Sequence, residues 1–349
     1  MKFIFGKEED FFSFLESVGK KDKAAIVSHT DLDGVTSALL MHEILKSRGI
    51  DIQSINFVNY GMGVFDELSC KLKKENISKV FLSDINEDSD LEGFERFRNQ
   101  FDIFLIDHHP SESGYKNHLL KSPSHDCSSF VIYNLGVKVT SLDKWKKLVC
   151  AAMIADFSYT DDENFRFIKN NFPDASKEDI YNSDPGQLDK TISYALIYFR
   201  GEQRRIFDIL LEHKTDTLEK YRGIVEKDTL ATLGKFRQNA EFYPDANLYF
   251  YYYNPRYSVT SIVLNILSKE KPDNTFIFAS DVMDDARFSK ASSRNQSGNI
   301  DMNLLMRKGI HGLENASGGG HVKASAAKFM KKDFEKFKEN ILKALTYAK

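Results

Sequence analysis

Seven acids and histidines of this 349-residue chain, of types that hold metal ions or move protons, fall where short apolar runs end. His29, Asp31 and Asp33 follow Ala24-Ala25-Ile26-Val27 in the stretch Ser28-His29-Thr30-Asp31-Leu32-Asp33-Gly34. Asp84 stands after the run from Lys79 to Leu82. His108 and His109 sit in Asp107-His108-His109-Pro110, after Ile103-Phe104-Leu105-Ile106. Asp156 ends the pattern from Leu142 to Ala155. Each of these side chains is expensive to bury alone. Four carboxylates brought together repel one another unless cations lie among them. Mixed carboxylate and imidazole donors suit Mn²⁺, with Mg²⁺ or Fe²⁺ as alternatives, and no thiolate stands near to favour zinc. The donors are too many for one ion and about right for two. Two ions about 3.5–4 Å apart, sharing a carboxylate and a hydroxide, hydrolyse phosphate esters by in-line attack.

Taken singly, these signals are bland. D-x-D-G is a common turn, and an isolated Asp31 would cap the helix that follows it. A lone histidine pair more often sits satisfied at a surface. The ordered set, with each member at the end of an element, carries the metal reading.

The elements that must position these residues follow from periodicity. Residues 10–19 predict a short helix. Strands are expected at 24–27, 52–58, 79–82 and 103–106, with helices at 35–46, 64–74 and, in a charged segment, 87–100. Strands alternating with helices predict an α/β parallel sheet. In such sheets the ligand crevice lies beyond the carboxyl ends of the strands. Residues 161–240 read as mostly helical and carry no matched motif, and 216–240 reads as a connecting helix. After Pro244 strands are expected at 248–253, 275–279 and 288–293, with helices at 259–269 and 332–348. The Tyr249–Tyr253 run reads as a strand packing an aromatic core in preference to a base-stacking platform. Ser128 and Ser129 read as a helix N-cap.

The formal net charge is −3. Residues 241–349 hold 16 Lys/Arg and 12 Asp/Glu, and residues 1–240 hold 32 and 39. The balance excludes a histone-like, whole-surface nucleic-acid binder and an acidic disordered chain. Cys70, Cys127 and Cys150 form no C-x-x-C pair, which fits a reducing compartment. No run approaches a membrane span, and no signal-type apolar stretch opens the chain, so a cytoplasmic location without membrane contact is expected. Nothing in the sequence sets the oligomeric state, and a homodimer is compatible with it.

His29-Thr30-Asp31-Leu32-Asp33-Gly34, Asp84, Asp107-His108-His109 and Asp156 resemble the four motifs of the DHH phosphoesterase superfamily. Ser292-Ser293-Arg294 through Gly318-Gly319-Gly320-His321 resembles its DHHA1 substrate domain. The resemblance implies an N-terminal parallel-sheet DHH domain (1–225), a helical connector (226–243) and a smaller α/β DHHA1 domain (244–349). It implies one metal site of His29, Asp31 and a bridging Asp84, and a second of Asp33, Asp84, His108 and Asp156. His109 would face the scissile phosphate, with Asp107 orienting a metal-bound histidine. Ser293, Arg294, Gly318, Gly319, Gly320 and His321 would bind substrate, with Arg294 and His321 on its terminal phosphate or nucleotide. Lys323, Lys290 and Arg287 are further candidates for that grip.

The implied activity is an Mn²⁺-dependent phosphodiesterase with two divalent ions. Because the two core domains fill the length, no room is expected for the extra modules of RecJ-type exonucleases. Short single-stranded substrates of the nanoRNase kind are therefore expected. Alternatives are a RecJ-like DNA or RNA exonuclease, a phosphatase of 3′-phosphoadenosine 5′-phosphate, and a cyclic or linear dinucleotide phosphodiesterase. From other classes come a non-catalytic replication scaffold, disfavoured by the retained ligands, and an inorganic pyrophosphatase, disfavoured by Gly318-Gly319-Gly320-His321.

Overall fold

The structure is a computed structural model that describes residues 2–59, 61–111, 119–283 and 285–346. Chain contacts divide it into two compact units, Met1–Arg222 and Gly223–Lys349. The first runs α1 (Glu8–Glu16), β1 (Ala24–His29), α2 (Leu32–Ser47), β2 (Ile52–Val58), α3 (Val64–Lys74), β3 (Lys79–Ser83), α4 (Leu91–Arg98), β4 (Asp102–Asp107) and β5 (Leu119–Lys121). Then come α5 (Ser128–Gly136), α6 (Lys146–Ala155), α7 (Asp162–Asn171), α8 (Asp184–Tyr198) and α9 (Gln203–Leu211), and α10 (Glu219–Asn239) carries the chain across the division.

The five strands pair in parallel in the order β2-β1-β3-β4-β5. Alternate residues of the central strands serve opposite faces, as the period of a strand requires. Ala24, Ile26, Phe81, Phe104 and Ile106 pack with α1, α2, α5 and α6. Ala25, Val27, Val80, Leu82, Ile103 and Leu105 pack with α3 and α4. Burial on both faces explains why these strands read as continuous apolar runs. The strand order reverses between β1 and β3, and such a reversal opens a crevice at the carboxyl ends. His29, Asp84 and Asp107 stand at the ends of β1, β3 and β4.

Two ties fix this edge. The buried Ser28 hydroxyl donates to the Gly34 carbonyl at 2.7 Å and lies 3.1 Å from the Ser83 carbonyl, linking β1, α2 and β3. Gly34 is required by proximity and not by its dihedral angles. A Cβ there would lie 2.3 Å from the His29 carbonyl oxygen.

The second unit contains β6 (Glu241–Tyr243), β7 (Leu248–Tyr252), α11 (Thr260–Glu270), β8 (Thr275–Val282), β9 (Asp285–Arg294), α12 (Met302–Gly309), β10 (Ser317–Gly320), β11 (Ala324–Met330) and α13 (Phe334–Thr346). Its sheet runs β10-β11-β9-β8-β7-β6, antiparallel except for β7 with β8. Leu248 and Phe250 join the core under α12 and α13. On the other face Tyr251 meets Phe236 of α10 and Phe278. Alternation in β7 thus assigns the tyrosine-rich run to packing on both faces.

The sequence reading misses β5, β6, β10, β11 and α12, each short or glycine- and alanine-rich. The Gly318–Gly320 run, expected as a close-approach or turn segment, is an extended edge strand. Residues 347 and 348 of the expected last helix lie outside the described residues.

Gly34→Ala is expected to lower stability by about 1–3 kcal/mol through forced overpacking against β1. Urea unfolding of the variant against the parent chain measures this.

Candidate metal centre

Each motif residue reaches the crevice for a local reason. Asp31 is the N-cap of α2, and one of its oxygens accepts the Gly34 N–H at 2.9 Å. Its other oxygen lies 2.9 Å from His29 Nδ1. The capping role and the site role therefore coexist on one carboxylate. Asp33, in the first turn of α2, is 2 % exposed. Both its oxygens accept backbone N–H groups from the start of α5, Ser128 at 2.7 Å and Ser129 at 3.0 Å. Orphan N–H groups at a helix start favour an anion there.

Asp84 leaves β3 with φ of +57°, a left-handed conformation that Asp tolerates better than most residues. The turn sends its carboxylate inward, where Asp84 is 1 % exposed. One Asp84 oxygen lies 3.4 Å from His108 Nε2, and the other 3.7 Å from His29 Nδ1. His108 Nε2 is also 3.4 Å from Asp156, which caps the carboxyl end of α6.

His109 is held by Asp107. The carboxylate accepts its backbone N–H at 3.0 Å and faces its Nδ1 at 2.9 Å. A carboxylate only accepts, so Nδ1 carries the hydrogen. The histidine that Asp107 holds is thus His109. This differs from the expectation that Asp107 would serve a metal-bound histidine such as His108.

Three sets of potential ligand atoms converge, each within 4.8 Å: His29, Asp31 and Asp84; Asp33, His108 and Asp156; and Asp84, His108 and His109. Asp84 belongs to two sets, and His108 to two. The third set brings in His109, which the motif reading places toward substrate alone.

Both ring nitrogens of His108 and one Asp156 oxygen are buried without a hydrogen-bond partner among the described residues. Such groups cost free energy unless a ligand satisfies them. Burial, then the charges of Asp31, Asp33, Asp107 and Asp156, push the Asp84 carboxyl well above its usual range. Burial and Asp33 push Asp156 up to about 8. Burial opposes the charged form of His108, but Asp156 and Asp33 outweigh it and raise its pKa. Orphaned nitrogens and mutually raised carboxylates fit divalent cations, which would relieve both.

The second unit places the remaining candidates by its strand register. Arg294 ends β9, opposite Ala324 of β11. Ala324 accepts the His321 N–H at 2.8 Å, so the β10–β11 turn brings His321 to the strand end that carries Arg294. Lys323 lies in the same turn, its carbonyl accepting the Asn295 N–H. Ser293 is buried, its hydroxyl donating to the Ser325 carbonyl at 3.0 Å. Gly320 has φ of +151°, and a Cβ there would lie 2.7 Å from the Ala324 carbonyl oxygen. Arg287 is not brought to this end. It pairs with Asp285 at 2.9 and 2.7 Å beside the β8–β9 hairpin. Lys290 sits midway along β9, opposite Ser280 and Lys328.

A family model for the DHH family N-terminal domain matches residues 23–159, and one for the DHHA1 domain matches residues 247–347. The chain belongs to the DHH/DHHA1 phosphoesterase superfamily. Among solved structures it is similar to RecJ with Mn²⁺ from Thermus thermophilus, with a TM-score of 0.75 and 15 % identity. That match covers 97 % of this chain and 54 % of the RecJ chain, so this chain spans about half its length. A second structure, exonuclease RecJ bound to manganese, gives 0.74 at 15 % identity over 97 % and 94 % of the two chains. An exopolyphosphatase-related protein from Bacteroides fragilis gives 0.59 at 16 % identity over 99 % and 98 %. These likenesses show the fold. No curated protein matches in sequence. Among the described residues no helix is long and apolar enough to cross a membrane.

Sequence reasoning does not single out Lys121 or Glu87 behind the DHH motif, or assign the Ser128 and Ser129 N–H groups to Asp33. It reads Ser128 and Ser129 as an N-cap. The cap position is Cys127, and the serines are the first helical residues. Asn164 of α7 also escapes it. The Asn164 amide donates to the His125 carbonyl, Asp126 and the Ser158 hydroxyl, bracing the segment after Asp156. Of the histidines outside the motifs, His213 stacks on Trp145 and His42 meets Phe207 edge-on, while His118 lies outside the described residues.

Folding raises the Asp156 pKa from 3.8 to about 8. Across that range the folded chain keeps a proton that the unfolded chain has released. Stability of the metal-free protein is therefore expected to fall as pH rises from about 4 to 8. Saturating Mn²⁺ should remove that slope. Urea unfolding at several pH values, with chelator or with Mn²⁺, measures both.

Proposed function

We propose that this chain is an Mn²⁺-dependent phosphodiesterase that hydrolyses short single-stranded oligonucleotides to mononucleotides from an end, in the manner of a nanoRNase. The observation that carries the reading is the sharing of Asp84, a buried carboxyl raised by burial and by the charges of Asp31, Asp33, Asp107 and Asp156, between two ligand sets. His29, Asp31 and Asp84 would hold one cation, and Asp33, Asp84, His108 and Asp156 the other. Divalent ions there would supply an activated hydroxide and offset charge building on phosphorus.

The protein's own groups do the rest. The Ser128 and Ser129 N–H groups keep Asp33 aimed into the crevice. His109 faces the scissile phosphate. Its Nδ1 is committed to Asp107, and a nitrogen that donates to a carboxylate cannot also ligate, so a phosphate-facing role falls to the rest of the ring. In the second unit Arg294 offers a planar fork to a terminal phosphate and His321 a second donor. Ser293 and Gly318–Gly320 shape that grip. We take residues 1–225 as the catalytic metal-binding domain, 226–243 as connector and 244–349 as the substrate-binding domain, acting in the cytoplasm.

A second reading is an exonuclease on longer single-stranded DNA or RNA. It draws on the fold shared with the RecJ structures over 97 % of this chain. Product analysis on RNA and DNA oligomers of 2 to about 24 residues, labelled at each end, with Mn²⁺ or Mg²⁺, separates the two. Fastest turnover at two to five RNA residues supports the first reading. Rates that rise with length support the second. No turnover of any oligomer by folded protein refutes both.

Asp84→Ala removes the shared ligand and is expected to abolish metal-dependent turnover, with fewer ions bound by titration calorimetry. Full rate with two ions retained would refute the bridging role. Arg294→Ala is expected to raise KM on short oligomers at least about tenfold, the loss of one charge-assisted contact, with metal binding unchanged.

A further inference from the structure

Behind the DHH motif lies a buried three-charge cluster that the metal centre does not account for. The Lys121 ammonium lies 2.7 Å from Asp107 and 3.1 Å from Glu87, and the three side chains are 2 % exposed or less. Asp107 is in turn the residue that grips His109. Lys121 donates to Asp107 Oδ2, the same oxygen that takes the His109 backbone N–H, while Oδ1 faces His109 Nδ1. One carboxylate thus connects the lysine to the imidazole.

The backbone around Lys121 is fixed as tightly. Lys121 pairs with Asp107 across β4 and β5. On its other side the Ile4 N–H donates to the Lys121 carbonyl at 2.7 Å, and the Lys121 N–H donates to the Phe5 carbonyl at 3.0 Å. Gly6, with φ of +77°, follows this strap where a Cβ would lie 2.3 Å from the Leu119 carbonyl oxygen. Glu87 approaches from the segment after β3. Its two oxygens lie 3.4 and 3.1 Å from the ammonium and limit the swing of a flexible four-carbon stem.

A buried ion cluster is poor evidence for stability, since well-packed apolar residues usually serve as well or better. Direction is what separates a functional cluster from a structural one. Here the shortest side-chain contact of the lysine, at 2.7 Å, is to the carboxylate that sets the ring of His109.

We propose that Lys121, held by Glu87, is a positioning residue for phosphodiester hydrolysis: it fixes the Asp107 carboxylate that aims the His109 imidazole. This rests on the reading of His109 as the phosphate-facing histidine.

The test uses the full chain and four variants: Lys121→Met, Lys121→Met with Glu87→Gln, His109→Ala, and the triple combination. Lys121→Met alone leaves two carboxylates uncompensated in the interior and can unfold the chain. The added Glu87→Gln removes one of them. Activity is read on an RNA dinucleotide and, in parallel, on bis(p-nitrophenyl) phosphate, with Mn²⁺ binding followed by calorimetry.

The expected result is a folded double variant that binds Mn²⁺ as the parent does, with kcat lower by about 10- to 100-fold and KM within about threefold. Adding His109→Ala to it should cost less than His109→Ala costs the parent, because both changes act through one ring. Parental kcat in the folded double variant overturns the proposal, as does a loss fully multiplicative with that of His109→Ala. A parent active only on bis(p-nitrophenyl) phosphate refutes the oligonucleotide reading while leaving this test to run on that substrate. His109→Ala with undiminished kcat on both substrates overturns the His109 role and this proposal with it.

Discussion

Mutual repulsion among carboxylates is the constraint on which the first unit is built. Asp31, Asp33, Asp84, Asp107 and Asp156 converge on one edge of a parallel sheet, and Asp84 feels the other four. Hydrophobic burial on both sheet faces supplies the free energy to hold them there. Partners are distributed so that not every carboxylate depends on a cation. Asp33 takes two N–H groups from α5, Asp31 caps α2, and Asp107 takes His109 and Lys121. Asp84, Asp156 and, despite its two N–H partners, Asp33 all have raised pKa values, burial being the first cause in each, and bound cations would relieve all three.

The parallel sheet matters because of where its strands end. Three adjacent strands, β1, β3 and β4, deliver a histidine or acid to the same edge, and the order reversal between β1 and β3 leaves room above them. The charge asymmetry of the chain has a local meaning in this light. Part of the acidity of residues 1–240 is the crevice itself. Two divalent ions would carry four positive charges into it, against a formal total of −3. The acidic unit then stops opposing an anionic substrate at the place where chemistry occurs.

Much of the site was legible because its residues are chemically unusual for their positions. One acid or histidine after a short apolar strand has ordinary explanations, a turn or a helix cap, but the ordered set, closed by Asp156 after an apolar helix, has few. The long buried strands and amphipathic helices announced themselves by period. β5, β10 and β11 did not. Three residues, a glycine run and an alanine-rich strand carry little hydrophobic signal, and their place is set by the neighbours they pair with. Lys121 illustrates the same limit. In sequence it is a surface-type residue in a short segment, and only its pairing with β4 puts it beside Asp107.

The sequence by itself determined which atoms are available for chemistry: the ordered acids and histidines, and the strand ends that present them. It did so because strand and helix periods are local properties of the chain. The tertiary structure decided which of those atoms meet. It made Asp84 common to two ligand sets, gave Asp33 the N–H groups of a helix about 95 residues away, and set Asp107 on His109 with Lys121 and Glu87 behind it. Those choices depend on strand order, on a left-handed turn at Asp84 and on the close approach of α2 at Gly34. The strand order is a long-range packing outcome that no local spacing encodes, and it is what makes the local turn at Asp84 and the Gly34–His29 approach point into one crevice.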